Sequence, residues 1–148
     1  MKLTPSIVLL TSWIIKEIFM INSLFKMTFT SVFFIIQKYA DLQGDVFEKD
    51  SVICPKILPV TMSFDDNNVI GTVKVRQNGN EYEGDFEIVS HHSIEGLNPA
   101  IQGKIIERDG NNIKKCEITN VILCVSGNSD ERIKRITKEQ ITTIKLEP

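Results

Sequence analysis

The sequence predicts a mainly β protein, a small antiparallel β-barrel or sandwich with few short helices, preceded by an apolar N-terminal segment. Runs rich in β-branched and aromatic residues recur along the chain, and turn residues separate them roughly every 8 to 12 positions. In several runs the apolar residues alternate with polar ones, as in strands with one buried face. A length of 148 residues with 42% hydrophobic content suits one domain.

The clearest local feature is a β-hairpin. Residues 101–107 and 113–125 resemble two strands, joined by the turn sequence Asp-Gly-Asn-Asn at 109–112. Glycine accepts the positive φ that a tight hairpin turn requires. The second strand has few polar positions after Glu117, so we expect it to be a central strand that is covered on both faces.

Other elements are expected before and after this hairpin in the sequence. Residues 29–36, 60–64, 69–76 and 81–89 have strand-like patterns, and Gly71 indicates a bulge or a close backbone approach. Polar turns are predicted at 65–68 and 77–80, and a short helix or final strand within 131–146. The expected core residues are Val60, Val73, Phe86, Ile88, Ile105, Ile118, Val121 and Leu123.

Charge and cysteine content narrow the function classes. The chain has 17 basic and 19 acidic residues, and no basic run exceeds Lys114-Lys115, which disfavours nucleic-acid binding. Three cysteines without C-x-x-C spacing argue against a disulfide framework or a zinc ribbon. We therefore expect reduced thiols that fill the core, in a protein with no cofactor and no metal site.

The first 36 residues allow three interpretations. Residues 7–15 resemble a signal-peptide core, but no clear cleavage site follows. Residues 18–36 are long enough to cross a bilayer, although Lys26 within them costs roughly 2.5 to 3.5 kcal/mol. In the interpretation that we favour, residues 1–27 are a surface helix, an anchor or an upstream extension, and a single β-rich domain spans 28–148.

The order of the pieces resembles a known family. GDVFEKDS is followed by LPVTMSFDDNNVIGTVK, then by EYEGDFEI, and then by NPAIQGKIIERDGNNIKKCEITNVILCVSGNSDERI. This succession, over residues 38–137, resembles the prohead (capsid maturation) protease family of tailed phages, whose fold is related to the herpesvirus assemblin proteases. The resemblance implies a β-barrel or sandwich of the prohead-protease type.

The residues that would carry the family's chemistry are replaced. The family uses a serine nucleophile that a histidine activates. Phe64-Asp65 stands where the family has His-Asp, and Ala100-Ile101 stands where it has Ser-Ile. Phenylalanine cannot accept a proton and alanine cannot attack a carbonyl group. The resemblance therefore implies a non-catalytic phage or prophage structural protein, cytoplasmic or in the virion, which contacts other phage structural proteins or itself during head assembly.

Two other functions stay open. One is a membrane-tethered bacterial β-domain that residues 7–36 anchor. The other is a hydrolase with a displaced site at His91, His92 and Ser93, although no G-x-S-x-G motif holds that serine and a solvated loop is the simpler expectation. The carboxylates at 65–66 and 81–87 match no calcium-binding loop, so we expect a turn and a solvated strand face there.

Overall fold

A computed structural model of the chain describes residues 23–36, 44–62, 65–128 and 130–146, apart from the side chains of 65 and 66. It confirms the mainly β class, since nine strands and one 3-10 turn form its regular structure. The predicted segment 1–27 lies largely outside the described residues. The strands are β1 (Leu24–Ile35), β2 (Val46–Phe47), β3 (Val52–Ile53), β4 (Ile57–Met62), β5 (Asp65–Asn78), β6 (Glu81–Ser90), β7 (Asn98–Asp109), β8 (Asn112–Cys124) and β9 (Thr142–Leu146), with the 3-10 turn at Lys138–Gln140.

All nine strands belong to one mixed sheet centred on β8. β7 pairs with β8 in antiparallel orientation, whereas β2, β3 and β4 follow one another along its other side in parallel orientation. β5, β6, β1 and β9 continue the sheet beyond β4 through antiparallel pairs. The prediction that β8 is central is confirmed, because it has partners on both sides.

The sheet is open, and the described strands close no barrel. β7 forms one edge and β9 the other, and no ladder joins them within the described chain. The parallel pairs were not predicted, because a parallel partner is reached only through a crossover and leaves no mark on the local sequence pattern. Here the chain passes through β5, β6 and β7 before β8 returns to the side of β4.

Both predicted glycine turns form two-residue hairpin loops. Gly110 and Asn111 join β7 to β8, and Gly79 and Asn80 join β5 to β6. Gly110 has φ +59° and Gly79 has φ +62°. A positive φ at the first central residue is typical of the type II′ turn, whose twist matches that of paired strands.

The predicted turn at 65–68 is wrong, because β5 already begins at Asp65. Its ladder with β4 is irregular there: Thr61 pairs with Val69, whereas Met62 pairs with Asp65. The polar residues between these pairs therefore form a wide bulge. The close approach predicted at Gly71 is confirmed, since a Cβ atom there would clash with the carbonyl oxygen of Glu87.

Seven of the eight predicted core residues are buried, and Ile105 is the exception. Its side chain is 47% exposed because only the first residues of β7 are covered, and the rest of this edge strand extends past the core. Aromatic packing joins β1 to β6, where the rings of Phe29 and Phe86 stack with centroids 4.6 Å apart and Phe33 meets Phe86 edge-on.

β1 begins five residues before the predicted strand. Met27 is buried between its partners Ile88 on β6 and Thr143 on β9, so the predicted boundary at 27/28 falls inside a strand. Residues 24–35 of the proposed anchor range 7–36 therefore belong to the sheet.

Within the described part of the chain, no helix has the length and apolar character needed to cross a bilayer.

Candidate functional site

Ala100, which the resemblance places at a nucleophile position, lies in a row that crosses three strands. It pairs with Ile122 on β8, and Ile122 pairs with Thr61 on β4. Directly paired residues point to the same face of a sheet, so these three side chains share one face. Ile122 and Thr61 are buried, and Ala100 is half-buried.

A polar cluster, here called the amide cluster, begins at Thr61 of this row and consists of buried Thr61 and Asn120 and half-buried Gln102 and Thr119. The Nδ2 atom of Asn120 donates to Oγ1 of Thr61 at 2.9 Å and to Oε1 of Gln102 at 3.1 Å. The hydroxyl of Thr119 lies 2.8 Å from Oδ1 of Asn120 and 3.1 Å from the carbonyl oxygen of Gln102. The cluster thus links β4, β8 and β7 through side chains as well as through the backbone.

Neither the row nor the amide cluster contains a group that can act as a base at neutral pH. A serine-type mechanism needs a proton acceptor within hydrogen-bond reach of the nucleophile. Amide and hydroxyl groups orient and bind polar ligands, but they do not take up the nucleophile's proton. The arrangement at Ala100 is therefore suited to holding strands together and not to acyl transfer.

Because the family's histidine and serine must share a hydrogen bond, the resemblance implies that Phe64 lies close to Ala100. Phe64 lies outside the described residues, so this proximity stays a prediction. β4 ends two residues earlier at Met62, and β8 lies between β4 and β7 in the sheet.

Asn98 lies on the same face of β7 as Ala100, two residues before it. Its side chain is 4% exposed, and its Oδ1 atom has no hydrogen-bond partner in the described structure. A buried acceptor without a partner costs about 1 to 3 kcal/mol. Sequence reasoning did not single out Asn98, Gln102 or Asn120, because polar residues in a strand are typical of a solvated face.

The displaced-site residues lie together in the exposed loop between β6 and β7, but they do not form a dyad. Nδ1 of His91 lies 3.0 Å from the carbonyl oxygen of Ser23. The hydroxyl of Ser93 accepts from the backbone N–H of Glu95 at 3.2 Å, while the N–H of His92 donates to Ser90 Oγ at 3.1 Å. In the described structure neither imidazole bonds the Ser93 hydroxyl, so no base activates it.

The family-like motif N-x-D-x-R has a structural role after β8. Nδ2 of Asn128 donates to the carbonyl oxygen of Pro99 at 2.9 Å, next to Ala100. The Asp130 carboxylate accepts from the backbone N–H, Nε and Nη2 of Arg132 at 2.8 to 3.0 Å. These bonds fold the loop tightly and attach it to the start of β7.

Charged groups on the outer face of β1, β5 and β6 are paired and exposed. Arg76 donates to both carboxylate oxygens of Asp85 at 2.6 and 3.1 Å, and Thr30 donates to the same group at 2.8 Å. These hydrogen bonds lower the pKa of Asp85, with the Arg76 bond contributing most. A shallow groove of about 530 Å³ lies here, lined in part by Thr28, Thr72, Lys74 and Glu87. The structure therefore confirms the predicted solvated acidic face.

Burial holds the cysteines in their thiol form. It raises the pKa of Cys54 to about 11 and also raises the pKa values of Cys116 and Cys124. Across the described ranges, no three His, Cys, Asp or Glu side chains come close enough to hold a metal ion.

Comparison with known proteins adds no relative: no family model, curated protein or solved structure matches this chain.

Proposed function

We propose that this chain is a non-catalytic phage or prophage structural protein with a prohead-protease-like fold, and that it acts through protein–protein contacts in head assembly. The observation that carries the proposal is the row at Ala100. An alanine stands at the nucleophile position of the family that the motifs resemble, and its neighbours on that face, Ile122 and Thr61, are an aliphatic chain and a hydroxyl.

The open sheet suits a protein that works by contact. β7 is an edge strand of twelve residues, and beyond its first residues the side chains are increasingly exposed. Edge strands offer unpaired N–H and C=O groups to an added strand from a partner. Ile105 and Ile106 are both about half exposed on this strand, which adds apolar surface to the backbone groups.

The absence of catalysis is tested on the full chain with a fluorophosphonate probe. We expect no labelling, because no base among the described residues bonds the Ser93 hydroxyl and Ala100 has no hydroxyl. Ser90→Ala and Ser93→Ala variants are the matched controls for background reaction. Stoichiometric labelling of the parent chain that Ser93→Ala abolishes would establish the displaced-site hydrolase and overturn the proposal.

The proposed role in head assembly is tested by gene neighbourhood and by co-expression. Terminase, portal and major capsid genes should flank the gene for this chain. When the chain is expressed with that capsid protein, it should sediment with capsid-sized particles and leave the capsid protein at full length. Flanking genes of another kind, or a chain that stays at the top of the gradient, would contradict a role in head assembly.

A further inference from the structure

The C-terminal part of the chain is firmly anchored up to Ile136. Arg135 Nη1 donates to the carbonyl oxygens of Gly96 at 2.8 Å and Val125 at 2.9 Å. The backbone N–H of Ile136 donates to Leu97, and its carbonyl oxygen accepts from Gly96, both at 2.8 Å. The Ile136 side chain is buried in the core. This segment is therefore fixed to the loop before β7 and to the end of β8.

The chain after this point, here called the C-terminal arm (Lys138–Leu146), is held by far less. None of its side chains is buried; Gln140, Ile141 and Leu146 are half-buried and the others are exposed. Its contacts are the β9 ladder along Leu24–Thr28, one hydrogen bond from Gln140 Nε2 to the carbonyl oxygen of Thr30 at 2.9 Å, and the packing of half-buried Ile141 against the core. The arm thus adds an edge strand to β1, and Ile141 is its one side chain in the core cluster's surroundings among the described residues.

The connection between the anchored segment and β9 is a single 3-10 turn. It is stabilised by the Gln140 side chain, whose Oε1 accepts from Thr137 N–H at 2.8 Å and from Thr137 Oγ1 at 3.2 Å. These bonds are exposed, and exposed hydrogen bonds of this kind contribute little net stability, because water competes for the same groups. A straightened turn would direct β9 away from its own β1.

We propose that the C-terminal arm is exchanged between copies of this chain, so that β9 of one copy pairs with β1 of another. This inference depends on the proposed function, in which the chain acts through protein–protein contacts. It names the contact surface as the β1 edge at Leu24–Thr28 and the partner as a second copy of the chain. The fit needs no new surface, since the ladder of β9 with β1 is already complementary and is identical in the exchanged form.

Concentration decides which form predominates. The exchanged and unexchanged forms make the same ladder and differ only in the conformation of the turn. A short connection gives the arm an effective concentration on the order of mM at its own β1. The isolated chain should therefore be a monomer in dilute solution, and a crowded assembly that brings copies to higher local concentration should favour exchange.

The exchange is tested by mixing two full-length single-site variants, Thr28→Cys and Thr142→Cys, both in a Cys54→Ser background. Residues 28 and 142 are ladder partners, so a short bifunctional thiol cross-linker joins them between chains only after exchange. We expect this cross-link at protein concentrations on the order of mM and its loss on dilution. The matched control mixes Thr72→Cys with Glu87→Cys, which are also partners but lie within the sheet.

A cross-link between residues 28 and 142 that is no more abundant than the one between 72 and 87 would overturn the exchange. That result would not contradict the proposed function, because the proposed function is tested separately by probe labelling and by sedimentation with capsids.

A deletion variant distinguishes the exchanged form from the unexchanged form. Deletion of residues 138–140 removes the turn, so β9 no longer reaches its own β1 but still reaches that of a second copy. Light scattering should then report twice the monomer mass. Deletion of residues 138–148, which include the whole arm, is the control and should leave a monomer. A turn-deleted chain that is folded and monomeric would also overturn the exchange.

Discussion

Individual side chains in this protein take their chemistry from burial and from their hydrogen bonds. Cys54 is half-buried and its thiol donates a weak hydrogen bond to the Pro55 carbonyl oxygen. Burial disfavours the thiolate, which is the reactive form of cysteine. Burial raises the pKa values of Cys116 and Cys124 for the same reason.

The thiols should consequently react slowly with alkylating reagents in the folded protein. With the pKa of Cys54 raised to about 11, the thiolate is scarce at neutral pH and its population rises only as the pH approaches that value. Alkylation by iodoacetamide, followed by mass spectrometry, should be slow at neutral pH and accelerate in alkali. In denaturant all three thiols should react at the rate of a free cysteine; fast folded-state labelling at neutral pH would contradict this.

Asp85 should make stability depend on pH at the acid end. Its pKa is lowered in the folded state, so the stabilisation is present above the unfolded-state value of about 3.8 and is lost as the pH falls through the folded-state value. Asp85→Asn should lower the urea midpoint at neutral pH and should converge with the parent chain in strong acid. Glu131→Gln, an exposed control, should leave the midpoint unchanged; a constant gap at all pH values for Asp85→Asn would contradict the assignment.

Among the elements, β8 contains a bulge that changes the face to which its side chains point. Between the pairs Gln102–Asn120 and Gly103–Ile118 it contains one extra residue, Thr119. Such a bulge reverses the alternation of faces. Cys116 and Cys124 therefore point to opposite faces although their separation is even, and the bulge places Asn120 in the amide cluster.

Because β8 is central, truncation of the Leu123 side chain should lower the free energy of unfolding strongly. Its side chain is fully buried in the core, so Leu123→Ala should lower the free energy of unfolding by about 2 to 5 kcal/mol. Ile105→Ala on the edge strand is the matched control and should cost under about 1 kcal/mol. Denaturant unfolding measures both, and equal costs would show that β7 and β8 are equally buried.

The amide cluster should contribute to stability through its partners. Asn120→Ala removes the donor to the buried Thr61 hydroxyl and to the half-buried Gln102 amide oxygen, which should cost about 1 to 3 kcal/mol. Asn112→Ala at the exposed start of the same strand is the control. A cost for Asn120→Ala within experimental error of that control would show that the cluster is not a stabilising link.

In the molecule as a whole, the start of β1 joins the N-terminal and C-terminal parts of the described chain within the one sheet. Residues 25–28 pair with β6 on one side, residues 24–28 pair with β9 on the other, and Met27 and Phe29 contribute to the core. The first residues of this strand therefore belong to the folding unit, together with the segment from 28 onward.

A chain starting at Ser23 should unfold cooperatively, whereas a chain starting at Thr30 should not. The longer form retains the complete β1, and the shorter form loses two core side chains and the whole β9 ladder. Thermal unfolding followed by circular dichroism distinguishes them. A cooperative transition of equal midpoint in both chains would show that the first half of β1 is dispensable.

By itself the sequence determined the features that neighbouring residues control: the mainly β class, the two glycine turns, the buried phase of most strands and the close approach at Gly71. Only the tertiary structure decided the parallel pairing of β2, β3 and β4 with β8, the exposure of Ile105 and the amide cluster. The physical reason is distance along the chain. Thr61 and Asn120 are 59 residues apart and meet only because β4 and β8 are neighbours, whereas a turn or an alternating strand is specified within a few residues.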